Sequence, residues 1–215
     1  MGSRERRTRE RAETRQRILD AARAMFVRHG YEATTMRAIA QRIEYTPTAI
    51  YHHFRNKEAL LTELCNLDFR ALSGAFQQIG RIEDPFERLL RLGQAYVSFA
   101  LEHPMQYQLL FLTPRPETKE AGTNPGEDAY AFLRETCEEL VASGRLRPEF
   151  SNPDQVAQIA WSSLHGLLAL HLVKQDHEKI DWCDPQTTAT QMSESLLRGD
   201  PAGRGMIFLR CYLTK

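Results

Sequence analysis

The sequence predicts an all-α chain, and three observations predict it. Five times a residue suited to cap a helix stands directly before proline: Thr46-Pro47, Asp84-Pro85, Asn124-Pro125, Asn152-Pro153 and Asp184-Pro185. Proline fits the first helical position because its φ is already near helical and its missing N–H would be unpaired there anyway. The preceding side-chain oxygen can accept from an orphan N–H of the first turn. Asp84 with Glu87, Asn124 with Glu127 and Asn152 with Gln155 add the spacing of a capping box. Gly30, Gly144 and Gly199 stand where helices can stop. Alternating runs of β-branched residues, the mark of half-buried strands, are absent.

The elements follow in order. A first helix is expected from about Arg9 to His29, with Ile18, Ala22, Met25 and Phe26 on one face. Thr34-Thr35 caps a short helix over 36–43, and Thr46-Pro47 opens another over 47–54. Asn56 caps a long helix from Lys57 to about Gln78. Proline-initiated helices are then expected over 85–102, 104–112, 125–143, 153–175 and 185–198. Residues 113–124, rich in Pro, Thr, Glu and Gly, read as a loop. The tail 200–215 is Gly-rich and then apolar, and no element is assigned to it.

The 215 residues carry 28 Lys+Arg and 28 Asp+Glu, a formal net charge of zero, with 42% hydrophobic residues to build a core. The neutral total hides a partition. Residues 1–62 hold 13 basic residues against 7 acidic, a surplus of six, and residues 63–215 carry the same excess of acid. Such asymmetry marks the first segment as one that faces a polyanion, or as a solvated Arg-rich helix.

Cys65, Cys137, Cys183 and Cys211 lie far apart, with no CxxC, which fits a reducing cytoplasmic location. His52-His53 and the pair His171 and His177 lack helical metal spacing, so no metal is expected. No apolar run follows the Arg-rich start, so no signal peptide is expected. The apolar stretch Trp161 to Val173, broken by His165 and His171, reads as too short for a bilayer, so no membrane partner is expected. Phosphate-loop, dinucleotide, zinc-protease and nucleophile-elbow motifs are absent, so neither cofactor nor catalytic residue is assigned.

Two short helices joined by Glu44-Tyr45-Thr46 cannot be stable alone and must pack on the first helix through Ile39, Ala40, Ile43, Ile50 and Phe54. This is a helix-turn-helix arrangement, whose second helix enters the major groove of DNA. Its outward residues are Thr48, Ala49, His52 and His53, with Thr46, Pro47 and Tyr51 beside them. Hydroxyls, a methyl and imidazoles can read base edges, and Tyr51 is shaped to reach a phosphate. Lys57 opens the next helix, where an ammonium and backbone N–H groups can clamp the phosphate backbone together.

Ile18-Leu19-Asp20-Ala21-Ala22, Phe26, Gly30-Tyr31, Thr34-Thr35, Ile39-Ala40, Ile50-Tyr51-His52-His53-Phe54 and Asn56-Lys57-Glu58-Ala59-Leu60 together resemble the DNA-binding domain of the tetracycline-repressor (TetR) family, without a gap over residues 14–62. The resemblance implies an all-α homodimer with a three-helix head and a larger helical body that binds a small, mostly hydrophobic effector. The division is then a basic arm over 1–13, the head over 14–62, and a ligand-binding and dimerisation domain over 63–215. By position, Thr35 and Arg37 open the supporting helix near the DNA. Pro47, Thr48, Ala49 and His52 face bases, while Tyr51, His53 and Lys57 face phosphates. One departure stands out: Glu44 occupies the turn position where the family usually has glycine, and a side chain in a left-handed turn costs about 1 kcal/mol.

Ahead of the match and into its first turn lie Arg4, Arg6, Arg7, Arg9, Arg11, Arg15 and Arg17. They read either as a solubilising tail or as an arm that neutralises phosphates, each contact adding about 0.9 to the slope of log affinity against log salt.

In the body, Tyr96, Phe99, His103, Tyr107 and Phe111 follow one another on successive helical turns. They fill a core or line an effector pocket. Trp161 and His165 share a helix face, and the run Trp161-x-x-x-His165-Gly166 resembles a subgroup of TetR C-terminal domains; His165 is either a hydrogen-bonded core residue or a ligand contact. The helix over 153–175 is apolar nearly all round, and its small residues Ala160, Ser163 and Gly166 permit close approach. With Ala189, Met192 and Leu196 of the last helix it is expected to form a four-helix bundle between two copies, the alternative being an intramolecular pair. The expected function is a sequence-specific, ligand-released repressor acting as a homodimer on a palindromic operator. A helical enzyme using the same pocket and a nonspecific architectural module are the competing classes.

Overall fold

The computed structural model describes residues 2–114, 116, 125–174 and 180–197, and every element among them is helical. They divide into two compact units, one of residues 1–73 and 102–127, the other of residues 74–101 and 128–215.

The first unit is built on α1 (Ser3–His29), α2 (Met36–Arg42), α3 (Pro47–Tyr51) and the greater part of α4 (Lys57–Phe76). Ile18, Leu19, Ala22 and Phe26 of α1 are buried with Ile39, Ala40, Ile50, Phe54, Leu60, Leu61 and Leu64. The short helices are held at their starts by side chains. Thr35 accepts from the Ala38 N–H at 3.1 Å, Thr46 from that of Ala49 at 3.3 Å, and Asn56 from that of Ala59 at 2.8 Å.

Two expectations change here. Helix α1 begins at Ser3 rather than near Arg9, so the basic arm is helical. The cause is local: Arg6 pairs with Glu10 and Arg9 with Glu13 one turn on, and Glu5 reaches back to the Gly2 N–H. Helix α3 ends at Tyr51, and the Ile50 carbonyl then accepts from both His53 and Phe54 in a tight turn.

Residues 102–114 also fold with these helices. Pro104 starts a single turn, α6 (Pro104–Tyr107), which runs into a π-helical turn over Gln108–Leu112. Both pack on α1, with Tyr107 and Leu109 fully buried. The Gln108 carbonyl closes the π turn by accepting from the N–H and the hydroxyl of Thr113, each at 2.8 Å.

The second unit holds most of α5 (Pro85–Glu102), most of α7 (Pro125–Ala142), α8 (Pro153–Lys174) and α9 (Pro185–Leu197), with a 3-10 turn over Ile79–Arg81. Asp84, Asn152 and Asp184 cap their helices by accepting from Phe86, Asp154 and Thr187 at 2.8, 3.0 and 2.7 Å. The core joins Phe86, Leu89 and Leu90 of α5 to Cys137 and Leu140 of α7 and to Val156 and Ala157 of α8. Gly93 leaves the space that Leu164 fills, since a Cβ there would meet the Leu164 side chain at 3.1 Å. At 22 residues α8 is long and apolar enough to cross a membrane by length and composition, more than the Trp161–Val173 count suggested. Val156, Ala157, Leu164 and Leu168 nevertheless face the unit's own core. The cap Asn124 and the tail 200–215 lie outside the described residues.

Candidate nucleic-acid interface

The turn between α2 and α3 sets the presentation of α3. Glu44 has φ of 62°, the left-handed conformation that glycine adopts most easily. Around it the Glu44 N–H donates to the Gln41 carbonyl at 3.2 Å and the Tyr45 N–H to the Ala40 carbonyl at 2.9 Å. This is the Schellman pattern, which satisfies the carbonyls at the end of α2. Side chains of α1 then lock the turn. Arg17 donates to the Ile43 carbonyl at 3.3 Å and lies over the Tyr45 ring at 5.3 Å, while the Tyr45 hydroxyl stands 3.4 Å from that of Thr14. Sequence reasoning missed Tyr45, Thr14 and this use of Arg17; an aromatic residue inside a three-residue turn was the available signal.

Thr35, Arg37, Thr46, Pro47, Thr48, Tyr51 and His52 are exposed, and Ala49 and His53 are half-buried. Ile50 is wholly buried, which fixes which face of α3 points outward. The hydroxyls of Thr35 and Thr46 accept from the backbone as caps, and each keeps its own hydrogen to donate.

Lys57 is more engaged than the sequence implied. Its ammonium donates to the Tyr31 carbonyl at 2.8 Å and sits 4.1 Å from the Tyr31 ring centroid, tying the start of α4 to the α1–α2 loop. His53 is also distinctive. Its Nδ1 is buried without a hydrogen-bond partner, and burial together with the charges of Arg11, Arg15 and His52 holds its pKa below the ordinary histidine value. A proton on that buried nitrogen would meet no acceptor, so the neutral ring with its hydrogen on Nε2 is favoured. Arg15 itself pairs with Glu63 and lies over the Phe54 ring at 4.5 Å.

The aromatic residues expected near an effector separate between the two units. Tyr107 and Phe111 lie in the first, 5.2 Å apart by ring centroids, with Phe69 edge-on to Phe111; His103 belongs there too. Tyr96, Phe99, Trp161 and His165 lie in the second, where Phe99 and Tyr96 are buried. The Trp161 indole N–H donates to the Tyr96 hydroxyl at 3.2 Å, and that oxygen is 3.4 Å from His165 Nδ1. Tyr130, which the sequence did not single out, packs on Trp161 at 6.0 Å. Because an indole can only donate, the tyrosine oxygen accepts from it, and the direction of its bond with His165 Nδ1 follows the tautomer of the histidine.

Of the residues expected between two copies, Ser163 and Gly166 are half-buried on α8, and Met192 is half-buried on α9. Ala160 packs against the unit's own core and Ala189 is 1% exposed, so both face inward within their own chain. The Leu196 side chain, Cys211 and His177 lie outside the described residues. No group of His, Cys, Asp and Glu suited to a metal occurs among the described residues.

Residues 18–64 match the family described as "Bacterial regulatory proteins, tetR family", and residues 72–191 match "Tetracyclin repressor-like, C-terminal domain". The chain belongs to the tetR family. It is a helix-turn-helix, DNA-binding transcriptional regulator. The HTH-type transcriptional repressor KstR2 of Mycolicibacterium smegmatis is 30% identical over 145 residues, which are 64% of this chain and 70% of that one. The HTH-type transcriptional repressor Rv1474c of Mycobacterium tuberculosis is 38% identical over 71 residues, but these span 33% of this chain and only 38% of that protein. The fold is shared with PfmR, a TetR family regulator from Thermus thermophilus, at TM-score 0.65 and 23% identity over 85% of this chain and 97% of that one. It is shared equally with AibR, solved with isovaleryl coenzyme A and operator DNA, at TM-score 0.66 and 21% identity over 85% and 97% of the two chains.

Proposed function

We propose that this tetR-family regulator is a homodimeric repressor that reads a palindromic operator in the bacterial cytoplasm and leaves it when a small, mostly apolar effector binds the C-terminal domain. The observation that carries the reading is the presentation of α3. A Schellman turn through Glu44, locked by Arg17 and Tyr45, holds a short helix whose only fully buried side chain is Ile50. Thr48, Ala49 and His52 then meet base edges, Pro47 lies alongside them, and Tyr51 and His53 meet phosphates, with Thr35, Arg37 and Thr46 at the two helix starts. Lys57 acts through its clamp on the α1–α2 loop and offers a remaining N–H to the backbone.

The apolar outer face of α8 supports the dimer. Leu170 is 57% and Val173 66% exposed, and with Gly166 they share the face turned away from Leu164 and Leu168. Such a face joins a second copy, with Ser163 and Met192 beside it, so that two heads reach successive major grooves about 34–36 Å apart. Tyr96, Trp161 and His165 supply polar groups within an aromatic setting, the character of an effector site. A regulator of this fold holds isovaleryl coenzyme A together with operator DNA, which supports an effector with an apolar acyl part. Release requires the effector to bind the DNA-incompetent state more tightly than the competent one.

Fluorescence anisotropy with a labelled operator and an excess of unrelated duplex tests the reading. Retention of the operator complex against competitor supports it; equal affinity for any duplex contradicts it.

A further inference from the structure

We propose that the first turns of α1 are a rigid extension of the DNA interface, in which Arg4, Arg7 and Arg11 grip the phosphate backbone beside the groove that α3 reads. The inference rests on the reading of the head as a DNA-binding element and adds a surface to it. The spacing i, i+3, i+7 places these three arginines on one helical face. The acids of the segment are occupied elsewhere: Glu10 pairs with Arg6, Glu13 with Arg9, and Glu5 accepts from the Gly2 N–H. Arg4, Arg7 and Arg11 are exposed and make no ion pair among the described residues.

A second, independent observation fixes where the stripe leads. Arg15 lies over the ring of Phe54, just beyond the C-terminal end of α3, at 4.5 Å, and Arg11 stands one turn earlier on the same face of α1, so the basic face is continuous with the recognition helix; both charges also act on His53. Arg15 is spent on Glu63 and Phe54, which leaves Arg11, Arg7 and Arg4 to carry the charge outward. Burial of Ile18, Leu19, Ala22 and Phe26 farther along the same helix anchors the extension. At about 1.5 Å per residue, Arg4 to Arg11 covers about 10 Å, or about three axial rises of one strand at about 3.4 Å each, a length that spans several phosphates. A duplex backbone matches the sign of the stripe, and its length suffices for one phosphate per arginine.

The test is the salt dependence of operator binding by the full chain. Substituting Arg4→Gln, Arg7→Gln and Arg11→Gln together keeps good helix formers in place. The slope of log affinity against log salt should flatten by about 0.9 for each phosphate no longer neutralised, so by about 2.7 per protomer, with the preferred sequence unchanged. The pair Arg6→Gln and Arg9→Gln, on the other face, should flatten it far less. Thr8→Pro keeps every arginine but breaks the helix between Arg4 and Arg11, and it should weaken binding as the triple variant does. A triple variant with the parent slope, equal effects of the two arginine sets, or a Thr8→Pro variant that binds like the parent would each overturn the proposal while leaving the head as a DNA reader. If the parent protein binds no duplex, the reading of the head falls first and takes this extension with it.

Discussion

The backbone N–H of Tyr45 donates to the carbonyl of Ala40 at 2.9 Å, closing the turn across Glu44, whose φ is 62°. The hydrogen bonds of a glycine-capped helix end are thus all present, and only the side chain is unusual. Glu44 is exposed, so its replacement removes no packing. Glu44→Gly is expected to stabilise the chain by about 1 kcal/mol, because relief of the left-handed backbone outweighs the added freedom of the unfolded glycine. Denaturant titration of the two proteins measures this. An unchanged or lower midpoint would mean that the turn carries no strain.

Arg23 grips Asp68 between α1 and α4 with two bonds, at 2.7 and 3.2 Å. Burial pushes the Asp68 carboxyl above its ordinary pKa, with Arg23 pulling it back only in part. Desolvation therefore exceeds the attraction, and the pair specifies how α1 meets α4 more than it stabilises. Asp68→Ala should cost about 3 kcal/mol because it leaves a largely buried guanidinium with only the exposed carboxylate of Asp20, at 3.2 Å, whereas Arg23→Met combined with Asp68→Leu should recover most of that loss. A double variant no better than Asp68→Ala in thermal unfolding would contradict this balance. The sign with pH follows: the native carboxyl binds its proton more readily than the unfolded one, so its penalty at neutral pH is relieved as pH falls through the native pKa.

Much of this architecture was legible in the sequence. Pro47, Pro85, Pro104, Pro125, Pro153 and Pro185 each begin a helix, because a proline's fixed φ is a local property, and so is the capping bond made by Thr46, Asp84, Asn152 and Asp184. The burial of Ile18, Phe26, Ile39 and Ile50 followed from helical spacing in the same way. What escaped depends on partners distant in the chain. The inward placement of Ala189 is set by α9 packing in its own unit, and the bonding of Lys57 by a carbonyl 26 residues away. The helical start of α1 was more accessible, since the pairs Arg6–Glu10 and Arg9–Glu13 are written at one-turn spacing. A high density of arginine hid that regularity.

The network of Trp161, Tyr96 and His165 should be sensitive to acid. Burial holds the His165 pKa below its ordinary value, because a second proton charges a ring that is partly withdrawn from water. Folded His165 thus binds a proton less readily than unfolded His165, so its contribution is present above about pH 6.5 and is lost as pH falls below it. His165→Gln, compared with the parent by thermal unfolding across pH 5 to 8, should flatten that part of the profile. Parallel profiles would remove His165 from the account.

Tyr96→Phe deletes the oxygen shared by Trp161 and His165 and is expected to lower stability by about 1 kcal/mol. The same change should alter indole emission, read in a Trp182→Phe background so that Trp161 alone reports. Identical spectra before and after the substitution would show that the tyrosine and the indole are not coupled in solution.

Selection of bound duplexes from a random pool by the purified protein tests the central claim most directly. The account predicts an inverted repeat whose half-sites lie about one helical turn apart, the spacing that two α3 helices related by a two-fold axis would read. Enrichment of a single half-site without an inverted partner, or no enrichment at all, would contradict it.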